Sequence, residues 1–299
     1  MIASGGTVRI ANNCEIRGGF VEKIRLSPKY LVRMQVVEYL RAFLFGRVGW
    51  AALNSLLIIS GAFGVFRKKH VIEAGGYSRE TVGEDMELVL RLNRKMKRQG
   101  RDYRVTFLPD PVCWTQVPED SLSLSKQRRR WQRGLGESLV LNRELFFNPR
   151  YGLLGTVAYP FFFFVEFLGP AFELLGYAIF IFTIYSALVL GFPGFEIVLL
   201  FFITAFFLGV LLSTLAIFFE EMTFSKYPLL KDKLVLFLFG VLENFGYRQM
   251  HTFWRVRGLI DFFKKSKEWG EMKRTRFSEG DKKQKVVGEH SLEGREQNQ

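Results

Sequence analysis

From Tyr151 to Phe219 the chain runs 69 residues without a single lysine or arginine, although 42 of its 299 residues are Lys or Arg. Within that gap, residues 174–195 give 22 uncharged positions and residues 197–219 give 23. Each stretch is long enough to cross a hydrocarbon layer of about 30 Å as a helix, and both read as spanning helices. Two buried core helices of a large soluble protein fit less well, because core helices seldom run so long without a polar face. The link between them, Gly191-Phe192-Pro193-Gly194, carries no basic residue, whereas both flanks are rich in Lys and Arg. By the positive-inside rule the link lies outside and both flanks face the cytoplasm, so the expected location is the cytoplasmic (inner) membrane.

Two further segments are ambiguous. Residues 151–172 are apolar apart from Glu166 and Glu173 just beyond, but Gly169-Pro170 interrupts them, and residues 234–242 supply nine uncharged positions. Each fits a spanning, re-entrant or interfacial helix, which leaves two or four crossings. Glu166 and Glu173 share a helical face and belong against protein, a polar passage or the headgroups. Residues 247–263 alternate arginines with Phe253, Trp254 and Leu259, which suits a helix lying on anionic lipid. From about Arg276 the tail is polar and without periodicity, the pattern of disorder.

The net charge of +13 is concentrated before the gap, where residues 1–150 hold 26 basic and 14 acidic side chains. Beside an uncharged, Phe-rich middle, that excess points to membrane lipids or phosphate groups and not to nucleic acid. Composition excludes a disordered, collagen-like or disulfide-stapled chain. Cys14 and Cys113 stand 99 positions apart without zinc-type spacing, and read as small buried hydrophobes in a reducing compartment. Residues 1–6 lack the basic and apolar regions of a leader. Instead, residues 7–10, Asn12-Asn13 and residues 14–16 read as strand, turn and strand, like the interior of a domain.

In the basic half, residues 31–45 repeat apolar positions at helical spacing around Arg33, Glu38 and Arg41, predicting an amphipathic helix. Residues 57–60 form an apolar β-rich run before Gly61-Ala62-Phe63-Gly64, followed by Val65-Phe66-Arg67. A strand, small-residue turn and strand leave room for a ligand near the backbone, although a plain hairpin explains the same turn. Gly83 precedes a helix opening with Glu84-Asp85 and ending at the basic residues 94–98, which matches the helix dipole. The same position suits a carboxylate that accepts a proton from a hydroxyl. Residues 105–108 read as a strand and 109–118 as a loop carrying Trp114. Residues 121–142 read as a helix with a hydroxyl-rich cap and the run Gln127-Arg128-Arg129-Arg130-Trp131. Three consecutive arginines point in three directions, so at most one or two serve one site. Arg130 beside Trp131 offers a guanidinium for a diphosphate and an indole to stack on a sugar or base.

Gly83-Glu84-Asp85, then Gln127-x-x-Arg130-Trp131, then membrane helices: this combination resembles the membrane-bound glycosyltransferases of family 2, which include the processive cellulose, hyaluronan, chitin and poly-N-acetylglucosamine synthases. The resemblance covers about residues 5–265. It implies an α/β GT-A domain followed by an α-helical transmembrane bundle, with a nucleotide-diphosphate sugar as donor and a saccharide or lipid-linked acceptor. It further implies that Asp85 is the base that deprotonates the acceptor hydroxyl during inverting transfer. Gln127, Arg130 and Trp131 match the signature that holds the diphosphate and the acceptor end, Glu84 is a further substrate-binding candidate, and Ser60 and Gly61 match an acceptor-side turn. The implied division is 1–148 as the C-terminal part of the transferase domain, 149–263 as membrane region and 264–299 as basic tail.

One departure stands out. The family's donor half and its D-x-D motif for a divalent cation (Mg or Mn) precede the E-D region, and no two aspartates here are separated by one residue. The expectation is therefore a C-terminal portion of a longer synthase, inactive alone, carrying the acceptor half of the site and no metal ligand. A non-catalytic subunit or scaffold is the alternative. A small transporter is disfavoured by the large basic domain, and a paired-carboxylate hydrolase by the adjacency of Glu84 and Asp85.

Overall fold

The computed structural model describes residues 1–191 and 194–264. The basic half is built on a three-stranded mixed sheet. Its central strand β1 (Ala3–Ile10) was expected to fold back on the strand after Asn12-Asn13, but that strand, β2 (Glu15–Arg17), pairs with β3 (Phe20–Lys23) in a separate ribbon. All eight β1 residues are buried, so both edges of β1 are taken by distant strands.

Helix α1 (Tyr30–Leu40) continues through a wider π turn, Arg41–Arg47, into the short α2 (Val48–Ala52). It is not the one-faced helix that periodicity suggested. Val32, Met34, Gln35, Val36, Val37, Tyr39 and Leu40 are all buried, because α1 packs between the sheet and two later helices, residues 195–223 and 230–242. The expected strand at residues 57–60 is likewise absent. Its side chains feed two cores, Leu56 and Ile59 one and Leu57 the other, and the Leu56 carbonyl accepts from Asn93 at 3.2 Å in place of a strand partner. The turn at Ser60–Phe63 leads into β4 (Gly64–Phe66), antiparallel to β1.

After α3 (Lys68–Glu73) comes α4 (Glu84–Arg98), with acidic residues in its first turn and basic ones in its last. Strand β5 (Val105–Thr115) runs parallel to β1 and extends through the segment expected to be a loop. Prolines 109 and 111 cannot donate to the ladder; the strand absorbs them by shifting register on either side of Thr7. Helix α5 (Ser121–Leu141) is capped by Asp120, which accepts from the Ser123 amide at 2.8 Å, and not by a hydroxyl. Cys14 is buried, Cys113 only half-buried, and both are free thiols.

An apolar helix, Leu154–Phe167, follows, with an α-helical turn α6 (Tyr159–Phe161) between π turns. It is too short to span a bilayer. Helix α7 (Gly169–Leu190) starts five residues earlier than charge counting suggested, because Pro170 sits in its first turn, where a missing N–H costs nothing. Helix α8 (Phe195–Thr223) follows. Both are long and apolar enough to cross a membrane, and only 6% of each apolar window is buried. Helices α9 (Leu230–Leu242) and α10 (Tyr247–Phe263) return the chain to the basic half; α9, at 13 residues, is also short of a span. Residues 192 and 193 of the link and the tail from residue 265 lie outside the described residues.

Candidate active site

The start of α4 and the middle of α5 are in backbone contact. A Cβ on Gly83 would meet the Gly134 carbonyl oxygen at 2.8 Å, and one on Gly134 would meet the Gly83 nitrogen at 2.8 Å. Only glycine at both positions permits this approach. Side chains complete it: the Val82 amide donates to Glu137 at 2.9 Å, and Ser138 Oγ donates to the Gly83 carbonyl at 3.1 Å. Helix α5 thereby carries the arginine–tryptophan run and also holds the loop that presents Glu84 and Asp85.

Asp85 is half-buried. Its Oδ2 accepts from the Gly61 amide at 2.8 Å and its Oδ1 lies 2.8 Å from the Met86 amide. A Cβ on Gly61 would stand 3.3 Å from Oδ2, so a bare backbone is what lets the turn close on the carboxylate. The structure thus brings the Ser60-Gly61 turn and Asp85 together. Below Asp85, Glu87 and Arg91 form an i,i+4 fork, and Arg91 donates to the carbonyls of Ala74 and Gly76. That fixes the Gly75-Gly76 loop against α4.

A residue that sequence reasoning passed over lies near Asp85. Arg47, at the end of the π turn, stacks on Phe43 at 3.8 Å, and its buried Nη1 has no hydrogen-bond partner among the described residues. Burial pushes its guanidinium down to about 10, while the Asp85 carboxylate draws it up. It is still a cation at neutral pH. The signal in sequence was weak, since Arg47 looked like one of many basic side chains.

The three arginines separate as helical geometry requires. Arg128 is buried and donates to Glu38 at 2.9 Å. Arg129 grips Asp261 of α10 with two bonds of 2.9 and 3.0 Å. Arg130 is half-buried, and Gln127 is buried with Oε1 lacking a hydrogen-bond partner. Trp131 is 44% exposed, and the guanidinium of Arg128 lies over its ring at 4.4 Å. Residues i and i+3 meet on a helix and adjacent residues do not.

Glu38 of α1 is a hub, contacting Arg128, Tyr247 at 2.8 Å and His251 at 3.6 Å. Burial by itself would push the Glu38 carboxyl up, yet the Arg128 guanidinium, with His251 and Tyr247, draws it below its ordinary value. Burial also drives His251 down to about 3, while Glu38 draws it up against the Arg128, Arg255 and Arg41 cations. His251 is therefore neutral near pH 7. Among the described residues, no three His, Cys, Asp or Glu side chains form a group that could hold a metal ion. The described residues therefore do not fit the divalent cation that the resemblance implies.

The family model for "Glycosyl transferase family group 2" matches residues 20–219. The poly-beta-1,6-N-acetyl-D-glucosamine synthase of Staphylococcus aureus (strain COL) is 32% identical over 126 residues, 42% of this chain and 28% of that protein. The protein of the same name from Staphylococcus epidermidis (strain RP62A) is 28% identical over 118 residues, 40% of this chain and 27% of that protein. The matched part thus spans less than a third of the length of these curated relatives.

Proposed function

The chain belongs to glycosyl transferase family group 2, and from that premise we propose that it supplies the acceptor side of an inverting transfer site at the cytoplasmic face of a membrane. Asp85 takes the proton of an acceptor hydroxyl. The oxygen attacks the anomeric carbon of a nucleotide-diphosphate sugar, forming the glycosidic bond, while the bond from that carbon to the diphosphate oxygen breaks and the nucleoside diphosphate leaves with the electron pair. The acceptor is a growing saccharide or a lipid-linked sugar, and the relatives' name makes a β-linked N-acetylglucosamine polymer the first candidate.

The observation that carries this reading is the contact of Asp85 with the Gly61 turn, on a loop held by the helix bearing Gln127, Arg130 and Trp131. A bare peptide turn lets the backbone meet a half-buried carboxylate directly, and the acceptor hydroxyl takes the place beside it. Trp131 offers an apolar face for that ring, and Arg130, Gln127 and Glu84 supply polar contacts to the diphosphate and the acceptor end. Arg47 adds positive charge near Asp85. The two long apolar helices support a membrane setting, with residues 1–148 and 264–299 on the cytoplasmic side and 149–263 as the membrane region.

Asp85→Asn tests the assignment, because it keeps the shape and the Gly61 contact and removes the base. In the complete synthase assembly containing this chain, sugar transfer is expected to fall by about 10²-fold or more, with membrane insertion unchanged. Retained turnover would refute the role.

A further inference from the structure

Trp131 is a large aromatic side chain, nearly half exposed, on the helix that holds the Asp85 loop. An exposed indole ordinarily samples several rotamers, and recognition of a ring by stacking needs one. What Trp131 rests on is the flat face of Arg128, 4.4 Å from the ring. Arg128 is itself 2% exposed, and its Nε and Nη1 have no hydrogen-bond partner among the described residues. Its Nη2 donates to Glu38 at 2.9 Å, and the Tyr247 hydroxyl interacts with the same guanidinium. Glu38 in turn accepts from the Tyr247 hydroxyl at 2.8 Å on the same oxygen that meets Arg128, and His251 lies 3.6 Å from its other oxygen. A chain of contacts therefore runs from α10 and α1 through a buried ion pair to the face of the indole.

Resting on the reading of Trp131 as an acceptor contact, we infer that Glu38 is a positioning residue for glycosyl transfer: it orients the Arg128 guanidinium, and that guanidinium holds the Trp131 indole in its acceptor-facing rotamer. Glu38 touches no reacting atom. Its influence passes through a cation–π contact whose strength depends on a guanidinium held flat against the ring. A buried ion pair is weak evidence of stabilisation but well suited to fixing one arrangement among several.

The test uses tryptophan emission first. Subtracting the spectrum of Trp131→Phe from that of the unaltered protein isolates the Trp131 component among the five tryptophans. In Glu38→Gln, acrylamide quenching of that component is expected to rise by about two-fold or more, as the indole leaves its cationic support. Arg128→Lys keeps the charge pair and loses the planar face, so it should give the same increase and serves as the second variant if Glu38→Gln does not fold. An unchanged Trp131 component in both variants overturns the proposal and leaves the transferase reading intact.

Transfer kinetics give the second arm. Glu38→Gln should raise the acceptor KM about ten-fold with kcat within about two-fold, and should have no further effect in a Trp131→Ala background. Equal, additive losses in both backgrounds would mark Glu38 as merely structural and overturn the proposal. If quenching rises while Trp131→Ala transfers sugar normally, the positioning stands and the acceptor role of Trp131 falls.

Discussion

The two ends of helix α8 live under different rules. At the end that meets the basic half, Glu220 pairs with Arg9 of β1, both about 3% exposed, and Arg9 also lies over Phe224. At Ser213, a hydroxyl and Arg41 converge on the buried Glu243. Towards the other end, Ile197, Leu200, Phe201, Phe207 and Leu208 stand bare. The contrast teaches how such a chain holds together. The bare end gains nothing from mutual burial and needs an apolar surrounding, whereas the tied end uses charge pairs that tolerate only one register. The same economy ties α5 to α10 through Arg129–Asp261, and Arg255 to Gln132 and the Glu166 carbonyl.

Breaking the tied end gives the largest expected effect. Glu220→Ala leaves Arg9 buried without its partner and should cost about 3–5 kcal/mol, read as a fall in the thermal midpoint in detergent. A midpoint unchanged within error would mean that the pair is not formed. The bare end is tested by Leu208→Arg, which at the centre of a spanning helix costs roughly 2.5–3.5 kcal/mol of insertion. The expected result is loss of chain from the membrane fraction. On a soluble helix the same exposed site would tolerate arginine within about ±0.5 kcal/mol.

The hub between the two regions responds to pH. Folded His251 is held at about 3, below its ordinary 6.5. On acidification the unfolded chain therefore takes up a proton near pH 6.5 that the folded chain refuses until about pH 3. Stability should fall across that window by at most about 1.4 kcal/mol per pH unit and be flat above it. His251→Gln should flatten the slope in denaturant titrations at pH 5 and 7; an unaltered slope would show that another group carries it. The smallest effect concerns a helix end remote from these ties: Asp120→Ala removes the α5 cap and should cost about 1 kcal/mol, seen as a small midpoint shift with transfer unaffected.

Much of this was legible in the sequence where one pattern acts alone. The Lys- and Arg-free gap announced α7 and α8, and the charge gradient of residues 84–98 announced α4. Reading failed where tertiary contacts overrode local pattern. Residues 57–60 have strand composition yet are drawn apart by two cores, and Pro109 and Pro111 looked like a loop because bulges that accommodate them depend on β1. At the site, the E-D and Q-x-x-R-W residues are proposed from motif. Motif could not say that Arg128 would take the Trp131 face, since that follows from the i,i+3 geometry of α5 and from Glu38, 90 positions away. Nor could it find Arg47, whose meaning comes only from lying near Asp85.

The central claim is that the Gly83–Gly134 backbone contact brings the Asp85 loop to the helix bearing Gln127, Arg130 and Trp131. Its most direct test is sugar transfer by Gly134→Ala in membranes holding the complete assembly, at matched amounts of folded protein. A Cβ there meets the Gly83 backbone at 2.8–2.9 Å, so the loop must move away. Transfer is predicted to drop by about 10²-fold, close to the Asp85→Asn level, while the chain stays membrane-bound. Transfer at the unaltered rate would contradict the account.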